Sequence, residues 1–412
     1  MSSGSDIHAT VDAVVRDSYS RLIAYLAARS RDVAAAEDAL GDALVAALKR
    51  WPEEGVPDKP EAWLLRVARN RLIDVARRTK VRNESQELLQ VAAESAEEVL
   101  DSPEPFPDER LKLLFVCAHP AIDATARTPL MLQVVLGIDA ARIASAFLVS
   151  PAAMNQRLVR AKNKIREAGI PFRAPEPPEW NDRLSFVLDA IYAAYTSGWE
   201  SATEPGSTQH ALAGDAILLG RLLLELIPGE AEVLGLLSLM LHCEARREAR
   251  YTGDGRFVPL DQQDPALWSR AMIAEAEHLL RRAAAAKSIG RYQLEAAIQS
   301  IHAHRSSGGQ IDWKEILLLY EGLVQIAPGI GSLVGRAVAL AQAGDAPAGL
   351  AALDAIPAGR ITSYQPYWAA RAHLLFLLDR KPEACEAFHR AAGLTDDHAL
   401  RDHLLQRAGT CI

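Results

Sequence analysis

The second half of the chain is a succession of amphipathic helical segments with short breaks, and this pattern limits the fold more than any other feature. From residue 180 onward, apolar residues recur at the helical period, and Gly-containing breaks fall at 228–229, 328–329 and 344–345. Such a run is typical of stacked helical hairpins and predicts an all-α protein. The predicted helices are 180–195, 211–227, 230–250, 265–286, 292–304, 313–326 and 332–343.

The last hairpin of this array fits the tetratricopeptide pattern, whereas the earlier segments fit it poorly. The matching residues are Trp368, Ala372, Ala384, Phe388 and Ala391. We therefore expect a tetratricopeptide-like (TPR-like) array over residues 181–412 without a regular repeat. Stacked hairpins of this kind offer a concave surface that binds a peptide or a protein partner.

The first half contains two basic helical stretches, residues 61–80 and 139–167, within an otherwise acidic sequence. Each combines an apolar helical stripe with a run of Lys and Arg. The net charge of −8 does not argue against DNA binding, because the local distribution of charge decides it. The pattern indicates a protein that contacts DNA at two places.

The second basic stretch has the pattern of a helix-turn-helix. Ser150 is a good N-cap and Pro151 suits the first helical position, so a helix restarts after the turn at 148–149. The preceding helix is predicted over 140–147, with Ile143, Ala144 and Phe147 facing inward.

The restarted helix has an apolar and a polar face. The predicted buried stripe is Met154, Leu158, Ala161 and Ile165. Amide side chains at 155 and 156 can read bases, and cations at 157, 160 and 164 mostly hold phosphates. An alternative is a surface helix that ends in Lys and Arg because cations favour helix C-termini.

The first basic stretch also has two faces. The predicted polar face is Arg66, Asn70, Asp74 and Arg77, with Arg71 and Arg78 adding charge, and the apolar face is Leu65, Ala68, Leu72 and Val75. Trp63 could stack on an unpaired base and Asn70 could hydrogen-bond one. A lone Trp at such a position is more often part of the core.

Two segments separate these modules. Residues 83–109 contain nine acidic residues, three prolines and no Lys or Arg, and residues 171–180 are proline-rich. We interpret both as linkers. The predicted domains are therefore residues 1–82, 110–170 and 181–412.

Several classes of protein are disfavoured by the sequence. The four cysteines lack the spacing of a disulfide framework or a zinc site, and Cys117 with His119 suggests packing and capping. No signal sequence and no membrane-length apolar run is present, so we expect a cytoplasmic protein. The charged and aromatic residues of the extension cluster in a polar loop around 254–268, but the extension has no nucleophile motif, no glycine-rich phosphate loop and no His pair at metal spacing. We therefore expect no enzyme, no cofactor and no metal.

Together these motifs resemble a known family. Residues 36–52 (AEDALGDALVAALKRWP), followed by EAWLLRVARNRLIDVARR, resemble region 2 of the extracytoplasmic-function (ECF) sigma factors of the sigma-70 family. Residues 128–167 resemble their region 4. Residues 192–199, 220–250 and 255–268 resemble the sigma factors that carry a long C-terminal TPR-like domain.

The resemblance implies a bacterial transcription initiation factor that binds core RNA polymerase and directs it to promoters. It assigns polymerase binding to Asp38, Leu40, Asp42, Leu44 and Leu48. It assigns recognition of the minus-10 promoter element to Trp63, Arg66, Asn70, Arg71, Asp74, Arg77 and Arg78. It assigns recognition of the minus-35 promoter element to Ser150, Asn155, Gln156, Arg157, Arg160, Lys162 and Lys164. Gly41 departs from the family pattern, in which Gln is usual, and Gly disfavours a helix interior by roughly 1 kcal/mol relative to Ala.

The resemblance also implies regulation through the extension, since this family is linked with small YCII-related proteins rather than with a membrane anti-sigma factor. A regulatory protein or an intramolecular contact is therefore expected at the helical domain. Two other classes stay open: a stand-alone helix-turn-helix regulator that binds DNA without polymerase, and a helical scaffold. Basic helices at both expected positions argue against the scaffold.

Overall fold

The protein is described by a computed structural model over residues 4–80, 108–147, 149–180, 182–200 and 208–411. Within these residues the structure is helical, and its extended pairing is the single antiparallel bridge between Tyr251 and Phe257. This confirms the predicted all-α fold. Most of the predicted acidic linker, residues 83–107, lies outside the described part of the chain. No helix in the described part is long and apolar enough to cross a membrane.

The helices divide between two compact units, one running to Trp199 and continuing to Leu219, the other starting at Gly220. The first unit contains α1 (Gly4–Ser30), α2 (Val33–Glu54), α3 (Pro60–Lys80), α4 (Arg110–Cys117), α5 (Ala124–Val134), α6 (Ala140–Ala146), α7 (Pro151–Glu167) and α8 (Leu184–Glu200). The helix α9 (Thr208–Leu226) begins in the first unit and ends in the second.

Side-chain caps mark the starts of several helices in the first unit. A carboxylate oxygen of Asp32 accepts from the backbone N–H of Ala35 at 3.1 Å, and this bond caps α2. Asp123 and Asp139 cap α5 and α6 in the same way. The helices α1, α2 and α3 pack on one another around a core that includes the fully buried Trp51.

The helix α8 and the start of α9, which follow the proline-rich segment 171–180, pack against earlier helices of the first unit. The Arg127 guanidinium in α5 lies 4.6 Å from the centre of the Phe186 ring in α8. Arg110 in α4 pairs with Asp215 in α9 at 2.9 Å. These contacts account for the inclusion of α8 and the start of α9 in that unit.

The second unit consists of helical hairpins. Its helices are α10 (Ala231–Glu244), α11 (Arg270–Ala285), α12 (Arg291–Ala303), α13 (Trp313–Ile326), α14 (Ile330–Gln342), α15 (Ala346–Asp354), α16 (Ala358–Ile361), α17 (Gln365–Leu377), α18 (Lys381–Ala392) and α19 (His398–Gly409). In the last hairpins Ala372, Ala384, Phe388 and Ala391 are buried. Their burial agrees with the predicted pattern, and the tetratricopeptide assignment itself stays a prediction.

The helix α10 lies between α11 and α12 and contacts both closely. Gly235 permits this approach, because a Cβ there would lie 2.7 Å from the backbone nitrogen of Gln293. The Glu232 carboxylate accepts from the backbone N–H groups of Tyr292 and Gln293 at 3.0 and 3.1 Å. A side chain of α10 thereby caps the N-terminus of α12, and the two helices are held in register.

Two predicted helices around this hairpin were too long. The helix predicted over 230–250 ends at Glu244, and that predicted over 265–286 begins at Arg270, where Ser269 is the N-cap. Residues 245–269 form a loop with short 3-10 turns instead. Arg305 donates to the Leu260 carbonyl at 2.6 Å, and Tyr251 donates to Asp397 at 2.7 Å. These long-range bonds hold the loop in a non-helical path.

Candidate polymerase and DNA interface

The helix α2 presents an exposed face that contains most of its predicted polymerase-binding residues. Asp38 and Asp42 are exposed, Leu48 is 37% exposed, and Leu44 is partly buried. Val45, which the sequence did not single out, is 50% exposed on the same helix. An apolar surface flanked by carboxylates is suited to binding another protein.

Leu40 does not belong to this face, and its assignment was wrong. Its side chain is fully buried. Leu40 follows Ala36 by one helical turn and precedes Ala43 and Ala47 on the apolar stripe that packs into the core. Leu40 therefore supports the helix from inside and cannot touch a partner.

Gly41 lies at an open position of α2. A Cβ built there would have no atom within 4 Å outside the helix. Glycine at this position therefore makes the helix less favourable, and no close neighbour requires the absence of a side chain there.

The helix α3 presents an exposed polar face with four of the predicted minus-10 residues: Arg66, Asn70, Arg71 and Asp74. The Nε atom of Arg71 lies 3.7 Å from a carboxylate oxygen of Asp42, so this face borders the exposed face of α2. Arg77 and Arg78 lie within α3, but their side chains fall outside the described part.

Val75, which lies on the apolar face of α3, is 55% exposed. Leu64, Leu65 and Ala68 are buried, whereas the described side chains of α3 after Ala68 are not. The apolar period continues in the sequence beyond the point where the core covers the helix.

Trp63 is partly buried at the start of α3. Its ring meets the buried Trp51 edge to face, with centroids 5.5 Å apart and planes at 64°. The Ser18 hydroxyl donates to Glu61 at 3.1 Å and ties the same turn to α1. Trp63 thus has a packing role, and only the remaining part of its ring is available to a base.

The helix α7 begins as the sequence predicts. The Ser150 hydroxyl oxygen accepts from the backbone N–H of Ala153 at 3.2 Å, and Pro151 occupies the first helical turn. The predicted stripe is buried: Met154, Leu158, Ala161 and Ile165. These local predictions are confirmed.

The opposite face of α7 carries polar side chains outward. Asn155, Gln156, Arg160 and Lys164 are exposed. Arg157 is partly buried and donates to the Thr125 carbonyl at 3.3 Å, so it also joins α7 to the start of α5.

A cavity of about 380 Å³ lies beside this face and is lined by Arg157, Arg160 and Lys164 together with the first turn of α5. Hydrogen bonds from Thr125 lower the pKa of the neighbouring Asp123, and the nearby guanidinium groups of Arg157 and Arg127 add to this effect. Three cations that line one cavity can hold a phosphate group.

Lys162 points away from these cations. Its Nζ atom lies 2.6 and 2.9 Å from the two carboxylate oxygens of Glu37 in α2. Arg166 contacts Asp32, also at the start of α2, at 3.3 Å. The sequence did not single out Glu37 or Asp32, because no local pattern tells an acidic residue which distant cation it meets.

Phe147 was predicted to face inward, and that prediction was wrong. The helix α6 ends at Ala146, and Phe147 is its C-cap with a side chain 38% exposed. Ile143 and Ala144 are buried as predicted. The helix stops one residue before its apolar stripe would carry Phe147 into the core.

Cys117 and His119 pack and cap, as the sequence indicates. Burial strongly raises the pKa of the Cys117 thiol. The Nδ1 atom of His119 accepts from the backbone N–H of Ala121 at 3.1 Å and closes the turn after α4. Among the described residues, no three His, Cys, Asp or Glu side chains form a group that could hold a metal ion.

Comparison with known proteins gives two family matches. Residues 14–82, which contain the exposed faces of α2 and α3, match Sigma-70 region 2. Residues 183–284 match a family of unknown function, DUF6596. An uncharacterized protein of Rhizobium meliloti (strain 1021) is 40% identical over 369 residues, which are 88% of this chain and 87% of the relative. No solved structure matches the chain.

Proposed function

Because the chain belongs to the sigma-70 family of transcription initiation factors, with region 2 near its N-terminus and a DUF6596 domain after it, we propose that it binds core RNA polymerase through α2 and promoter DNA through α3 and α7. In this proposal it is a factor of the ECF type. Its role is binding and positioning rather than catalysis.

One observation carries the proposal most directly. The segment that matches Sigma-70 region 2 presents two adjoining exposed faces, one acidic and apolar on α2 and one polar and basic on α3. Asp38, Asp42 and Leu48 would contact the polymerase. The minus-10 element would meet the face of α3 that contains Arg66 and Asn70.

The minus-35 element would meet α7. The predicted residues that remain exposed there are Asn155, Gln156, Arg160 and Lys164. Amide side chains near the N-terminus of a helix can read base edges in the major groove, and cations further along can hold phosphates.

The proposed domains are residues 1–82, 110–170 and 181–412, with the linkers 83–109 and 171–180 between them.

The C-terminal helices would modulate this activity. Residues after 174 supply Phe186 and Asp215, which contact α5 and α4 of the first unit. A chain truncated at Ala174 would leave the buried Arg110 without Asp215. We therefore expect truncation to lower promoter-dependent transcription rather than release it, and a truncated protein with higher activity would make the extension a repressor.

A second candidate is a stand-alone helix-turn-helix regulator, favoured by the capped helix α7 with its outward amides and cations. The two candidates differ in their dependence on polymerase. A stand-alone regulator binds its operator duplex alone, whereas a sigma factor binds promoter DNA firmly only with core RNA polymerase.

The proposal is tested by run-off transcription with purified core RNA polymerase on DNA from upstream of the gene. A discrete transcript that depends on the protein is expected. Replacing Asp38 and Asp42 with Ala should remove the transcript, whereas Glu53→Ala, an exposed acidic position at the end of α2, should leave it. An unaffected double variant would refute the assignment to α2.

A further inference from the structure

Residues 250–258, within the loop between α10 and α11, form a short two-stranded arm. Tyr251 and Phe257 make the antiparallel bridge of this arm. The arm closes at its base, where the backbone N–H of Val258 donates to the Arg250 carbonyl at 2.8 Å. These bonds are made within the segment, which we call the aromatic arm.

Both rings of the aromatic arm contact α19, the last helix of the second unit. The Tyr251 hydroxyl donates to a carboxylate oxygen of Asp397 at 2.7 Å, although the two residues are 146 positions apart. The Phe257 ring meets the His403 ring edge to face, with centroids 5.5 Å apart and planes at 63°. The arm therefore joins the beginning of the second unit to its end through two aromatic side chains.

The helix α19 offers a fixed acceptor to the hydroxyl. One carboxylate oxygen of Asp397 accepts from the backbone N–H of Leu400 at 3.0 Å and caps the helix, and the other accepts from Tyr251. Because the cap holds the carboxylate in place, its second oxygen is oriented for a hydrogen-bond donor. His403 follows on the same helix and offers a ring to an aromatic partner. This surface of α19 can thus bind a hydroxyl and an aromatic ring together.

The aromatic arm can leave this surface without unravelling the rest of the loop. Residues 253–256 at its tip are exposed. The loop after the arm is anchored separately, because Arg305 donates to the carbonyls of Leu260 and Gln263 at 2.6 and 3.2 Å. Segments with exposed backbone open at lower cost than core helices do. Separation of the arm from α19 keeps both the bond at its base and this anchor.

We propose that the surface of α19 formed by Asp397 and His403 is a peptide-binding site, and that the aromatic arm is its built-in occupant. A partner protein binds there through a segment that offers a tyrosine hydroxyl to Asp397 and a second aromatic ring to His403, and it displaces the arm. Aromatic side chains supply much of the binding energy in protein interfaces. The site lies within the second unit and is independent of the proposed role in transcription.

The site is emptied in the full-length protein by the double replacement Tyr251→Ala and Phe257→Ala. The probe is a fluorescent synthetic peptide with the sequence of residues 249–260. A tethered segment acts at an effective concentration of roughly millimolar, so the arm of the wild type competes with the added peptide. Fluorescence anisotropy should show that the double variant binds the peptide about tenfold more tightly than the wild type, or better. Equal affinities, or no binding to either protein, would overturn the proposal.

Matched controls test the chemistry of the site. Arg256→Ala changes the exposed tip of the arm and keeps both anchoring rings, so this variant should bind the peptide as weakly as the wild type. A peptide with Ala at both aromatic positions should not bind the emptied protein. Addition of His403→Ala to the double variant should remove the gained affinity. If the affinity persists, the peptide binds elsewhere and the assignment to α19 is wrong.

A milder variant protects the test against a double variant that does not fold. Tyr251→Phe keeps the ring and removes only the hydroxyl, and circular dichroism should show the helix content of the wild type. Its affinity for the peptide should lie between those of the wild type and the double variant. A folded Tyr251→Phe protein with the affinity of the wild type would refute the role of Asp397. A wild-type dimer in light scattering that the double variant does not form would make the arm of a second copy the occupant, and would contradict binding of another protein.

Discussion

The guanidinium of Arg110 in α4 contacts Asp215 in α9 at 2.9 Å while it also contacts Asp108 at 2.8 Å. The Arg110 side chain is only 2% exposed. Burial by itself lowers its pKa, but the hydrogen bonds and charges of the two carboxylates outweigh this effect and raise it. The helix α9, which follows the proline-rich segment, thus supplies one of the two carboxylates that neutralise the buried Arg110 guanidinium.

Asp215→Ala should destabilise the protein by about 1–3 kcal/mol, because a buried charged donor loses an acceptor. Urea denaturation measures the change. Glu53→Ala, at an exposed position of α2, should alter the midpoint little. An unchanged midpoint for the Asp215 variant would mean that Asp108 alone suffices for Arg110.

Gly41→Ala should stabilise the protein by up to about 1 kcal/mol, since Ala is the better helix former and the new Cβ meets open space. Gly349→Ala in α15 is the same substitution at a crowded position and should destabilise the protein, because the new Cβ would come 2.6 Å from the Ala337 carbonyl oxygen. Thermal unfolding followed by circular dichroism should shift upward for the first variant and downward for the second. Shifts of the same sign would contradict this reading of the two sites.

Acid should destabilise the second unit through two buried histidines. Burial lowers the pKa of His242 to about 3 and that of His302 to about 4, and the Arg246 guanidinium acts in the same direction on both. Burial outweighs the Glu277 carboxylate, which lies 3.5 Å from His242. Both histidines are therefore neutral in the folded protein at neutral pH.

The sign of the pH dependence follows from these shifts. The unfolded chain binds protons near pH 6.5 and the folded chain does not, so stability is complete above pH 6.5 and declines as the pH falls toward 4 and then 3. The decline is at most about 1.4 kcal/mol per pH unit for each histidine. Denaturation at several pH values should give a shallower decline for His242→Gln than for His389→Gln at an exposed position of α18. Equal declines would refute the role of His242.

Arg160→Ala and Lys164→Ala should weaken binding of the protein with polymerase to promoter DNA and reduce its salt dependence. Each phosphate contact contributes about 0.9 to the slope of log affinity against log salt. Loss of one contact should lower the slope by that amount, as measured by titration at several salt concentrations. Lys314→Ala, at an exposed position of α13, should leave the slope unchanged.

Arg157 differs from these two cations. It donates to the Thr125 carbonyl at 3.3 Å, so its replacement disturbs the joint between α7 and α5 as well as any phosphate contact. For Arg157→Ala, the footprint at the minus-35 element should weaken and the thermal stability should fall slightly. Arg160 is exposed, and its replacement should leave the stability unaltered.

The sequence by itself determined the local features of this protein. The helical period, the cap at Ser150 and the buried stripe from Met154 to Ile165 depend on residues within a few positions of one another, so their outcome is set before the chain folds. The match to region 2 likewise resides in a continuous segment. A local pattern does not show where an element stops early, as at Phe147, or where the core ends before the apolar period does, as at Val75.

Only the tertiary structure decided which remote groups meet. Lys162 has the same sequence signature as Arg160 and Lys164, yet it pairs with Glu37 of α2 at 2.6 Å while the other two stay exposed. Leu40 has the signature of an interface leucine, yet it is buried. A charge or an apolar side chain acquires its role from the surface that the rest of the chain brings against it, and no pattern of neighbouring residues contains that information.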